Sequence, residues 1–109
     1  MDERDLDTAI RKEAKRLGIR YFRFDEKRRI GSGWPDLTLI GLGGVLFREL
    51  KTRYANISGD PWDVTSDQLA VGRDMRSAGL DWDIWRPVDL HSGRVHRELE
   101  AIAKPPRAD

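Results

Sequence analysis

Two short apolar runs, Leu37 to Ile40 and Val45 to Leu50, flank Gly41-Leu42-Gly43-Gly44. Clustered glycines between such runs predict a β-hairpin. A loop centred between Leu42 and Gly43 sets Asp36 directly opposite Glu49. Opposed residues of an antiparallel pair share a face, with Cβ atoms about 4.5–5.5 Å apart. Lys51 lies two residues beyond Glu49 and shares that face. The face continues through Thr38, Ile40, Val45 and Phe47. The opposite face carries Leu37, Leu39, Leu46 and Leu50, interrupted by Arg48. Both faces are largely apolar, which predicts cover on both sides.

Two carboxylates and an ammonium thus converge at the open end of the hairpin. At an effective dielectric near 20, two carboxylates about 5 Å apart repel by roughly 3 kcal/mol. Such a pair calls for a cation, a shared proton or open water. A divalent metal is the natural answer, and oxygen ligands suit Mg²⁺. The plainer alternative is a surface hairpin whose rim charges form a salt bridge.

The residues on and around this hairpin also carry a resemblance. Pro35-Asp36 followed by Glu49-Leu50-Lys51 resembles the PD-(D/E)XK nuclease signature. Gly33-Trp34-Pro35-Asp36, Glu49-Leu50-Lys51 and the later Ser66-Asp67-Gln68 resemble, more narrowly, the VRR-NUC family. The likeness runs from Glu3 to Pro87. It implies a restriction-endonuclease-like α/β core, a mixed β-sheet flanked by helices in the order αβββαβ, here with an added C-terminal helix. It implies a Mg²⁺- or Mn²⁺-dependent endodeoxyribonuclease. Asp36, Glu49, Glu3 and the backbone carbonyl of Leu50 would hold the metal, and Lys51 and Gln68 would complete the catalytic set. Stand-alone members of this length resemble Holliday-junction resolvases of phage or bacterial origin, which act on branched DNA as homodimers. Symmetric nicks across a four-way junction need two active sites, which a twofold dimer supplies. Three alternatives stay open: a nicking or flap nuclease without junction specificity, a catalytically silent DNA-binding module, and a protein-interaction domain that binds no metal.

The chain of 109 residues suits one domain, expected over residues 1–104, with 105–109 as a tail. Charged residues make up 36%, yet the net charge is only +1, so bulk charge does not announce a nucleic-acid partner. The absence of cysteine excludes a disulfide framework and a thiolate zinc site. The acidic, polar N-terminus reads as neither signal peptide nor membrane span. A cytoplasmic location, in a bacterial or phage-infected host cell, is the expectation.

Asp2 to Leu17 has helical spacing, with Leu6, Ala9, Ile10, Ala14 and Leu17 on one face and Gly18 as a stop. Glu3 extends that stripe by a turn and aims a carboxylate toward the core side. It reads either as a third acidic group of the metal site or as one of several acids favoured at a helix N-terminus. Ile19 to Phe24 alternates as a strand. Lys27, Arg28 and Arg29 form a basic run that reads as a phosphate contact or a solvated turn. Ser32, between two glycines, offers backbone N–H groups to phosphate. Trp34 reads as packing or as a base-stacking surface.

Thr52 to Val64 is long for a connection and holds Arg53, Tyr54 and Trp62, a mixture suited to unpaired nucleotides. Simple connection is the rival reading. Thr65 and Gln68 have capping-box spacing and open a helix whose inner stripe is Leu69, Gly72, Met75 and Arg76 or Gly79, with Gly79 as its end. Gln68 therefore reads as a cap or as part of the active site. Leu80 to Trp85 reads as a last strand closed by Arg86-Pro87, and Val95 to Ala103 as a C-terminal helix. Trp82, Trp85 and that helix are the expected dimer-face candidates. His91 and His96 read as surface residues.

Overall fold

The computed structural model describes residues 1–24, 33–52 and 63–106. Helix α1 (Glu3–Arg16) begins at a reciprocal cap, in which Asp2 and Asp5 each accept from the other's backbone N–H. Leu6, Ile10 and Ala14 recur on one face and are completely buried. Strands β1 (Arg20–Arg23), β2 (Leu37–Gly41) and β3 (Gly44–Leu50) follow, then α2 (Ser66–Ser77) and β4 (Asp81–Trp85). Two helices close the chain, α3 (Pro87–His91) and α4 (Arg94–Ala103).

The strands form one open mixed sheet in the order β1-β2-β3-β4. The first two pairings are antiparallel, and β3 with β4 is parallel, with α2 as the crossover. The hairpin has the expected register: Leu37 opposes Arg48, Thr38 opposes Phe47, and Gly41 opposes Gly44. The turn is tied to the end of α4, where Gly43 N–H donates to the Ile102 carbonyl at 2.9 Å.

Against one face of the sheet lie α1 and α4, enclosing Leu37, Leu39, Leu46, Leu50, Trp85, Val95 and Leu99 in the core. Arg48 stands in this apolar layer with 2% of its surface exposed. It survives there because its charge is fully engaged. Glu98 accepts from its Nη2 at 2.9 Å, the Asp81 carbonyl accepts from its Nη1 at 2.7 Å, and the guanidinium lies 5.1 Å from the Trp85 ring centre. Glu98 also accepts from Trp85 Nε1 and from Arg94 Nε. Burial alone would raise the Glu98 carboxyl, but bonds from Trp85 and Arg48 hold it below the usual range.

The other face is covered by α2, and only in part. Gly72 lets α2 approach closely: a Cβ there would sit 2.6 Å from the Trp82 ring. Further along this face Phe22, Phe24, Ile40 and Val45 stay partly exposed. Cover on both sides thus holds for β4 and the Arg48–Leu50 end of β3 but not for β1, β2 or the Val45 end of β3, among the described residues.

Three expectations need correction. Trp82 and Trp85 are buried, at 5% and 0% exposure, so neither is an exposed dimer face. Helix α4 turns Val95, Leu99 and Ile102 into the core, so its apolar side is already used. A separate short helix, α3, starts directly at Pro87, where the expectation had only the close of a strand. Proline at the first helical position was the available signal. No helix among the described residues is long and apolar enough to cross a membrane.

Candidate active site

The residues of interest gather where β2 begins and β3 ends. The hairpin register sets Asp36 and Glu49 one position beyond Leu37 and Arg48, the last paired residues at this end. Both are buried, at 9% and 2% exposure. Asp36 is locked in place: its backbone carbonyl accepts from Phe24 N–H at 2.9 Å, and its Oδ2 accepts from Leu50 N–H at 2.9 Å. Lys51 follows, with Nζ 3.9 Å from Glu49 Oε1 and its side chain one-fifth exposed. Its backbone N–H donates to the Trp85 carbonyl, which ties the end of β3 to β4.

Gln68 caps α2 and also reaches Glu49. Its Oε1 accepts from Thr65 N–H at 3.0 Å, closing the capping box with the Thr65 hydroxyl. Its Nε2 donates to Glu49 Oε1 at 2.9 Å. A primary amide has both an acceptor and donors, so one side chain serves both partners. The approach of Gly33 to α2 supports this arrangement. Gly33 has φ +90, and a Cβ there would lie 2.4 Å from the Asp67 carbonyl oxygen. Only glycine allows the strand entry to lie this close to the first turn of α2.

Glu3 does not join Asp36 and Glu49 directly. It is nearly half exposed and pairs with Arg23 Nη2 at 3.1 Å. Arg23 Nη1 also meets Asp7 Oδ2 at 3.0 Å, and Asp7 Oδ1 accepts from the Tyr21 hydroxyl. Burial raises the Tyr21 phenol, and the bond to Asp7 raises it further. Burial works against the charge on Arg23, but Asp7 first and then Asp36 hold it firmly protonated. Among the described residues no three His, Cys, Asp or Glu side chains gather closely enough to enclose a metal ion. The donor chemistry of Asp36 and Glu49 nonetheless fits a hard cation, since Mg²⁺ is commonly held by one or two carboxylates with water and phosphate completing its shell.

Sequence reasoning overlooked Arg23 and a second anchor. Arg86, 6% exposed, holds Asp63 through two bonds of 2.6 and 2.8 Å. That pair pins the chain where it re-enters toward α2, and Arg86 keeps the Asp63 carboxyl below its ordinary range. Arg86 and Asp63 are 23 residues apart, and partners so distant in the chain leave no local spacing signal. His91 is exposed as expected, whereas His96 bridges Glu13 on α1 and Glu100 on α4.

Trp34 is 37% exposed and packs between two aromatic rings, Phe24 at 5.8 Å and Phe47 at 6.1 Å between centres. The proposed DNA contacts Lys27, Arg28, Arg29, Ser32, Arg53 and Tyr54, with Trp62, lie outside the described residues. Compared with protein-family models, curated proteins and solved structures, the chain shows no match to any of them.

Proposed function

We propose that the protein is a metal-dependent DNA endonuclease with a restriction-endonuclease-like core, specific for branched DNA in the manner of a Holliday-junction resolvase. The observation that carries this reading is the convergence of Asp36, Glu49, Lys51 and Gln68 at one end of the sheet, with Gln68 and Lys51 both directed to Glu49 Oε1. A purely structural rim would not need two buried carboxylates at the same end of the hairpin. The likeness of the three motifs to the VRR-NUC family supports the same reading.

Asp36, Glu49 and the Leu50 carbonyl would hold Mg²⁺ or Mn²⁺, with Glu3 as a further ligand. Such an ion supplies positive charge that polarises a phosphate and acidifies a nucleophilic water. The chain's own residues do the remaining work. Asp36 is oriented by the Leu50 amide, and Glu49 by the Gln68 amide. Lys51 orients the attacking water or offsets the charge that grows on the pentacoordinate phosphorane. The partly exposed Phe22, Phe24 and Trp34 lie on the same side of the sheet as Asp36 and provide apolar surface beside the site.

The test is a cleavage panel: labelled four-way junction, flap, duplex and single strand, with Mg²⁺, Mn²⁺ or EDTA, for wild type and Lys51→Ala. Symmetric junction nicking that requires metal and disappears in the variant is expected. Cutting of flaps or duplex alone would keep the nuclease and remove the resolvase. Binding without cutting in any metal would replace the enzyme with a silent DNA-binding module. Light scattering showing only monomer at micromolar concentration would overturn the homodimer.

A further inference from the structure

The acidic groups of α1 beside the site already grip a cation. One Arg23 guanidinium contacts Glu3 at 3.1 Å and Asp7 at 3.0 Å. Arg23 also opposes Leu37 in the β1–β2 ladder, one residue from Asp36, and its guanidinium feels the Asp36 charge. It therefore serves three carboxylates, two by contact and one through space. Its side chain is 37% exposed, which leaves it a path into solvent. Asp7 is itself fixed by the Tyr21 hydroxyl, so Arg23 keeps a second tether if it loses Glu3.

We propose that Arg23 is a built-in counter-cation that competes with a divalent metal for Glu3, so that metal affinity depends on how readily Arg23 releases that carboxylate. This rests on the metal-dependent reading of the site. Its physical basis is simple. A carboxylate shared between a guanidinium and a divalent ion brings two cations together, and their repulsion opposes binding. Glu3 is thereby withheld from Asp36 and Glu49 until the metal outcompetes the arginine. Arg23 acts here as a positioning residue.

Calorimetry with Mn²⁺ alone, without DNA, tests this on wild type, the charge-removing variants Arg23→Gln and Arg23→Met, the charge-keeping Arg23→Lys, Glu3→Gln and the double variant Arg23→Gln with Glu3→Gln. Arg23→Gln and Arg23→Met are expected to bind Mn²⁺ about threefold to tenfold more tightly, because a competing positive charge is gone. Glu3→Gln should change affinity little in wild type but clearly weaken it in the Arg23→Gln background, a non-additive pattern that marks competition. Arg23→Lys, which keeps the charge, should stay near wild type. Circular dichroism verifies folding, and Arg23→Met, which keeps an apolar stem on the strand, guards against misfolding of the Gln variant. If wild type binds Mn²⁺ and neither Arg23→Gln nor Arg23→Met binds more tightly, the counter-cation is refuted while the metal site stands. If no variant binds Mn²⁺, the metal-dependent reading and this proposal fall together.

Discussion

Gln68 Nε2 and Glu49 Oε1 lie 2.9 Å apart, joining the first turn of α2 to the end of β3. The same amide closes the helix cap through its oxygen. Helix start and candidate site are therefore one hydrogen-bonded unit, and the two functions can be separated by substitution.

Gln68→Ala removes both bonds and should lower stability by about 1 kcal/mol. Gln68→Glu keeps an oxygen for the Thr65 amide but sets a second anion against Glu49. Without metal the repulsion should lower its melting temperature at neutral pH, and metal-dependent cleavage should fall on the order of tenfold or more, as for other residues that orient a ligand. Cleavage at the wild-type rate in Gln68→Glu would reduce Gln68 to a cap.

Gly33→Ala addresses the spacing between the strand entry and α2. The positive φ and the 2.4 Å approach to the Asp67 carbonyl both oppose a Cβ. A loss of about 1–3 kcal/mol is expected in urea denaturation, from backbone strain. Cleavage should fall further than stability explains, because displacing α2 separates Gln68 from Glu49.

Arg48→Met tests the buried ion network on the opposite face. Removing one partner leaves the partly buried Glu98 with Arg94 as its remaining cation, which should cost about 1–3 kcal/mol. Adding Glu98→Gln should recover part of that loss, since a neutral amide still accepts from Trp85. Equal urea midpoints for the single and double variants would contradict the network's role.

Acid should destabilise the protein over a defined window. Arg16, aided by His96, holds the Glu13 carboxyl down to about 2, against an ordinary value of 4.5. A carboxyl with a depressed folded pKa adds stability above its unfolded pKa and loses it as pH falls through the folded one. Asp63 and Glu98 are depressed as well and act in the same direction. Melting temperature should hold above the ordinary carboxyl value of 4.5 and decline as pH falls toward about 2. Glu13→Gln should make that decline shallower; an unchanged acid profile would show that Glu13 contributes nothing to it.

The hairpin and its register were legible in the order of residues because both are local. A short glycine-rich loop leaves the two strands one good alignment, and alternation then decides which side chains share a face. Asp36, Glu49 and Lys51 come together on that basis alone, as does the Thr65–Gln68 cap. Contacts between distant elements had no such signal. Arg48 and Glu98 are 50 residues apart, and an arginine in an apolar strand shows no sign of its partner. Arg23 claims Glu3 only because α1 and β1 pack side by side. The burial of Trp82 and Trp85, and the bare stretch beside Phe22 and Phe24, depend on where α2 and α4 come to rest. Periodicity states that a face is apolar; packing decides whether another element covers it, because burial is a property of two surfaces and a sequence pattern describes one.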